Sequence, residues 1–321
     1  AWVDDGYGYQ DPDTGRWDFV AYYTSWGLWR HLRRVVGKLS QAYCLTDDPQ
    51  YAHKAGVLLS RIADVYPDMD WKPMADLKFS HSDGSSGAGR VEGQIWETGV
   101  ATQLAADYDR VYDALSRDAE LLTFLQEKAR GHSFPVPADP AAVCRHIEDG
   151  LLLEFYKSAR DGRIRGNEGM CQRAMIATAI ALDRPGTTEE ILDWVFAPEV
   201  GTRRWNDPAY DRTGGHVPEV FVALMDRDGL GSEAAPGYSC WALSFLEGAR
   251  MLRSYAKYDK HDFFRDFPKY QQFFRSLTRW NCLDAVTPPI GDSGAMGAWG
   301  TVGLSADTMQ TAFELFGDEV F

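Results

Sequence analysis

Apolar residues recur at helical spacing along nearly the whole chain, and that periodicity leaves room for little except an all-α fold. Leu28, Leu32, Val35, Val36, Leu39, Ala42 and Tyr43 follow the spacing of one buried helix face. Tyr51, Ala55, Leu58, Leu59, Ile62 and Val65 repeat it. Between the two runs, Thr46-Asp47-Asp48-Pro49 supplies a cap and a proline near the first helical position, so the pair reads as a helical hairpin. The pattern returns in Ala101, Leu104, Ala105, Tyr108, Val111, Tyr112 and Leu115. Further segments lie at roughly 141–159, 167–183 and 188–196. Two more follow, one on Tyr238, Trp241, Ala242, Phe245, Ala249, Leu252 and Tyr255, the other on Phe263, Phe267, Tyr270, Phe274 and Leu277. No alternating run of strand length stands out. Hairpins without a short fixed-period repeat fit a bundle, a solenoid or an α/α toroid.

Three loop-rich segments, 67–94, 197–237 and 284–304, interrupt the helices. Long loops inside a helical scaffold are usually functional or disordered, and three of them suggest the rim of a cleft. With 45% hydrophobic residues the chain can build a real core, which excludes wholesale disorder. The 11 Trp, 15 Tyr and 16 Phe suit either a core between helices or a sugar-binding cleft, and most are assigned to the core.

A net charge of −14 speaks against a nucleic-acid partner, yet a local cluster of arginines can still hold an anionic sugar. Cys44, Cys144, Cys171, Cys240 and Cys282 form no Cys-x-x-Cys pair, and several should be buried apolar residues. No apolar stretch of about 18 residues is present, so no membrane partner is expected. The chain begins at Ala1 with no charged-then-apolar leader and ends abruptly at Phe321. The expectation is a piece of a longer secreted or periplasmic protein, its signal peptide removed or outside this chain.

Two segments carry candidate chemistry. In Arg163-Ile164-Arg165-Gly166-Asn167-Glu168-Gly169-Met170, Asn167 stands at a predicted helix start, where backbone N–H groups favour an anion. Asn167 can equally be an ordinary helix cap. In Asp228-Gly229-Leu230-Gly231-Ser232-Glu233-Ala234-Ala235-Pro236-Gly237-Tyr238, the tyrosine meets a loop-to-helix junction. It can move a proton, or it can simply fill the buried stripe of the following helix. Metal chemistry is not supported: His216-Val217-Pro218-Glu219 and His146-Ile147-Glu148-Asp149 lack a third partner at diagnostic spacing. Asp11-Pro12-Asp13-Thr14-Gly15 gives a faint hint of an oxygen-ligand loop. No phosphate loop or dinucleotide fingerprint appears, and no cofactor is expected.

Taken in order along the chain, these segments resemble the heparinase II/III-type polysaccharide lyases and related alginate lyases. The likeness rests on Asn167 at a Gly-Asn turn and on Glu233-x-x-x-x-Tyr238 at a helix start. It also draws on Tyr22-Tyr23 with Trp26, Ala42-Tyr43 and Tyr51-Ala52, Gln94 to Trp96, Ala106-Asp107-Tyr108-Asp109 and Pro289-Ile290-Gly291-Asp292, and so spans most of the chain. The resemblance implies that residues 1–321 form one catalytic α/α toroid, an incomplete barrel of helical hairpins, followed in the family by a β-sandwich not visible here. It implies β-elimination on a uronate-containing glycan, an acidic polysaccharide or oligosaccharide. A neutral donor binds the C5 carboxylate, the C5 proton is removed and the C4–O bond breaks to leave a 4,5-unsaturated sugar. Asn167 matches the donor and Tyr238 the base or acid. Gln94, Arg165, Glu168, Glu233 and Asp292 fall to substrate binding.

Two departures matter, and one is the long stretch between Asn167 and Tyr238. The family's Asn is often followed by His, and here Glu168 follows. His216 or His81 can take over the lost imidazole, as can a histidine beyond this chain. Two rivals remain open: an α/α-barrel glycoside hydrolase using Asp228 with Glu233 or Asp292, and a non-catalytic glycan-binding module.

Overall fold

In a computed structural model of the chain, the described residues are 4, 6, 8–18, 20–76, 87–132, 134–200, 212–233, 235–280, 282, 286–288, 290–291 and 304–320. The described residues are 65% helical and 4% strand, the all-α composition that the periodicity predicts. Among the described residues no helix is long and apolar enough to cross a membrane. The residues divide into two compact units: one takes those up to 166, 177–188 and Arg212, the other takes 167–176, 189–200 and those from 213 onward.

The first unit opens with a two-stranded hairpin, β1 (Tyr9–Gln10) against β2 (Trp17–Asp18). Its turn accounts for the acidic 11–15 segment differently from an oxygen-ligand loop. The Asp11 carboxylate accepts from the N–H groups of Asp13 and Thr14, and the Asp11 carbonyl from Gly15. The carboxylate is therefore spent on the turn.

Helices α1 (Val20–Thr46) and α2 (Pro49–Val65) form the predicted hairpin. Asp48 caps α2 by accepting from Gln50 N, with Pro49 at the first helical position. The predicted stripe on α1 shifts at its start: Leu28 is 58% exposed, and the neighbouring Trp29 is buried instead. After the short α3 (Lys72–Asp76), α4 (Glu97–Leu115) buries Val100, Ala101, Leu104, Ala105, Tyr108 and Val111, while Tyr112 stays half-exposed. Helix α5 (Ala119–His132) follows, and α6 (Pro140–Ile147) and α7 (Leu153–Arg160) are joined by a π-helical turn over Glu148–Leu152. The His146 and Glu148 side chains take separate partners: His146 pairs with Asp64, whereas Glu148 accepts from Tyr108 and pairs with Arg184.

A buried polar knot fixes the start of α4. One oxygen of Glu97 accepts from the backbone N–H groups of Arg90, Val91 and Glu92, and the other from the Tyr66 hydroxyl. Arg90 beside it donates to Ser158, to two backbone carbonyls and to Glu154. Burial of this carboxyl outweighs its hydrogen bonds and pushes its pKa up from 4.5 to about 7.

Helices α8 (Met170–Leu182) and α9 (Thr187–Phe196) each contribute residues to both units. The second unit continues with α10 (Val217–Glu219) and a π-helical turn over Val220–Leu224. It is completed by α11 (Pro236–Ser239), α12 (Ala242–Ser254), α13 (Phe263–Asp266), α14 (Lys269–Arg279) and α15 (Ala306–Phe316). Its core is aromatic. Phe221 lies within 4.7–6.0 Å, centroid to centroid, of Trp241, Phe245, Phe263, Phe267 and Tyr270. These rings bury area and add edge-to-face contacts. Cys144, Cys171 and Cys240 are buried as expected, and desolvation pushes the Cys144 thiol up to about 11 and the Cys240 thiol to about 12. Neither is a nucleophile near neutrality.

Candidate functional site

Helix α8 opens on the turn Asn167-Glu168-Gly169. Gly169 takes φ +88°, and a side chain there would meet the backbone N of Phe245 at 2.9 Å, so only glycine fits. The cap is not Asn167. The Gly169 N–H donates to the Gln172 side-chain oxygen at 3.0 Å, a residue three positions on reaching back over the helix start. The Asn167 carbonyl accepts from Met170 N, and its carboxamide is exposed. Of the two roles the sequence leaves open for Asn167, capping belongs to Gln172.

Gln172 also works in the other direction. It is buried, and its side-chain nitrogen donates to the Gly215 carbonyl at 2.9 Å. That bond ties the Asn167 turn to a second one, Gly214-Gly215-His216. This second turn closes the C-terminal end of α9: Gly215 N donates to Trp194 O and His216 N to Ala197 O. Carbonyls that a helix end would leave unpaired are satisfied by it. A side chain on Gly215 would press on the Val195 carbonyl at 2.6 Å, so the approach needs glycine. His216 takes a left-handed conformation, φ 47° and ψ 28°, which for a non-glycine residue is uncommon and clusters at functional sites.

The result is a carboxylate–imidazole–carboxylate row. His216 Nε2 lies 3.2 Å from Glu168 and Nδ1 lies 3.0 Å from Glu199. Carboxylates only accept, so both ring nitrogens are satisfied when both carry protons. The imidazolium is thus the form this geometry favours, and it suits an acid or an electrostatic stabiliser better than a base. The two carboxylates address opposite edges of the ring and do not converge on one point. Among the described residues no His/Cys/Asp/Glu cluster could hold a metal ion.

Helices α8 and α12 run in the same direction, since Gly169 lies against Phe245 and Arg173 against Gly248. Their N-terminal ends therefore share one side of the second unit, and each carries about half a positive charge. Tyr238 lies on α11, just before α12, with its carbonyl accepting from Trp241 N. It is 42% exposed, so it does not fill the buried stripe that the sequence also allows. Glu233 is exposed too, and its carbonyl accepts from Ser239 Oγ. Asp228 is used locally, accepting from Leu230 N.

Gln94 is buried in the first unit, where its carbonyl accepts from Arg165 N at 3.2 Å. Gln94 is 1% exposed, and its bond to Arg165 N places it beside the segment that leads into Asn167. Asp292, His81, Arg203 and Arg204 fall outside the described residues. Glu199 and Gln172 are the site residues that sequence reasoning misses. Comparison with family models, curated proteins and solved structures returns no match for this chain.

Proposed function

We propose that this chain is a polysaccharide lyase of the heparinase II/III kind, acting by β-elimination on a uronate-containing glycan within an α/α toroid. The observation that carries the reading is the exposed Asn167 carboxamide at the shared N-terminal end of α8 and α12, on the turn whose Glu168 holds the His216 imidazole. Removing the C5 proton of a uronate loads negative charge onto its carboxylate, and fixed donors and positive helix ends stabilise that charge. Asn167 is the donor in this reading. His216, held as a cation between Glu168 and Glu199, offsets one of the two carboxylate charges that would otherwise repel the substrate. Tyr238, exposed just ahead of α12, carries the proton between C5 and the departing O4 in this reading.

The alternative is a glycoside hydrolase using Asp228 with Glu233 as acid and base, both exposed side chains of one loop. The two readings differ in product. Elimination leaves a double bond conjugated with the carboxylate and absorbing in the ultraviolet, whereas hydrolysis yields a new reducing end without it. Incubation with alginate, glucuronan, heparan and ulvan, followed by both signals, separates them.

A further inference from the structure

One cavity of the first unit is lined by none of the candidate-site residues. It is a cleft of about 740 Å³ between α2, α5 and α6. That is within the roughly 300–1,000 Å³ typical of small-molecule sites. Its floor is apolar, formed by Val57, Ala129 and Val143, and its walls carry the half-exposed rings of Phe124 and Phe134.

The segment Phe134-Pro135-Val136-Pro137-Ala138 closes one side, held in place at both ends. Phe134 N donates to Ala129 O at 3.0 Å, and the Gln126 side chain donates to Pro137 O at 2.9 Å. The two prolines restrict the backbone and lack N–H donors, so this wall is preformed and apolar.

The mouth has the opposite charge to the protein as a whole. Arg61, Lys128, His132 and His146 line it against one carboxylate, Asp64, in a chain of net charge −14. Asp64 is already paired with Arg61 at 3.3 Å and with His146 at 2.9 Å. Each full cation stands over an aromatic wall: Arg61 lies 5.2 Å from the Phe134 centroid and Lys128 lies 5.3 Å from that of Phe124. Charge and apolar surface are therefore adjacent along the lining.

We propose that this cleft binds a free single-chain amphiphile with an anionic head, of the fatty carboxylate class. The tail lies between Phe124 and Phe134 over the Val57–Val143 floor, and the carboxylate meets Lys128 and Arg61 at the mouth. This site is independent of the lyase reading.

The test is isothermal titration of the purified chain with dodecanoate, below its micellar range, and with dodecyltrimethylammonium, which has the same tail and the opposite charge. Saturable one-to-one binding of dodecanoate, at least tenfold tighter than of the cationic amphiphile, is expected. Lys128→Glu should weaken dodecanoate tenfold or more and narrow that preference, and Ala142→Trp should block both ligands by filling the cleft. Lys128 is exposed, so its variant keeps the test decisive if the tryptophan variant fails to fold, as circular dichroism would reveal. Equal binding of the two amphiphiles, unchanged dodecanoate affinity in Lys128→Glu, or no binding would overturn the proposal. Flotation with phosphatidylglycerol vesicles but no one-to-one binding of dodecanoate would also overturn it, in favour of a lipid surface.

Discussion

At the scale of single residues, the account turns on what Asn167, His216 and Glu199 do for developing negative charge. Asn167 is exposed and relieved of capping by Gln172, so Asn167→Ala should leave the thermal midpoint within a degree or two. Turnover on a uronate polymer should fall about 10²-fold, the scale of losing one donor to an oxyanion. Unchanged turnover would remove Asn167 from the site. Glu199→Gln replaces a charge-assisted partner of His216 with a neutral one, and such bonds are roughly half as strong. Turnover should drop by an order of magnitude with the fold intact, and a full-activity variant would show that the pair is only structural. Glu97 makes a separate claim on stability. Its folded pKa is raised above the ordinary 4.5 to about 7, so its favourable contribution is complete below pH 4.5 and is lost as pH rises through 7. The loss is on the order of 3 kcal/mol. Glu97→Gln keeps the shape of the knot and should flatten this part of the pH–stability curve measured by urea unfolding. A variant curve parallel to the wild type would contradict it.

At the scale of elements, Phe221 is the ring around which the second unit packs, touching five others while 1% exposed. Phe221→Ala should cost about 3–5 kcal/mol in denaturant unfolding. A cost below about 1 kcal/mol would mean the cluster repacks freely. Most helices were legible because a buried face repeats at a fixed period: Val36 and Tyr43 on α1, Leu59 and Ile62 on α2, and Leu104 and Tyr108 on α4 all lie inside. Leu28 and Tyr112 escape because a stripe marks a face without saying how far the neighbouring element extends. The π-helical turns at Glu148–Leu152 and Val220–Leu224 were not legible, since one extra residue per turn leaves no signature in the spacing of apolar residues. The Asn167 turn was found through its Gly-Asn-Glu-Gly sequence. Glu199 was not, because only the fold brings positions 168, 199 and 216 to one imidazole. The available signal was indirect: Gly214-Gly215 before His216 and Pro218 after it mark a constrained turn, and a histidine locked in a turn invites a search for partners.

At the scale of the whole molecule, a chain of net charge −14 is asked to bind an anionic polymer. That works if the second unit gathers its helix N-termini and one imidazolium where the substrate carboxylate sits, and long-range repulsion then weakens as salt rises. Activity on a uronate polymer should accordingly increase from low salt to about 0.15 M, where the screening length is about 8 Å. A monotonic fall over that range would point to a cationic site instead. The central claim is elimination with Tyr238 as the proton carrier. The most direct measurement is the ultraviolet absorbance of the 4,5-unsaturated product during incubation with a uronate polymer, for the wild type beside Tyr238→Phe. The account expects a steady rise for the wild type and almost none for a correctly folded Tyr238→Phe. New reducing ends without that absorbance, or equal rates from the two proteins, would contradict it.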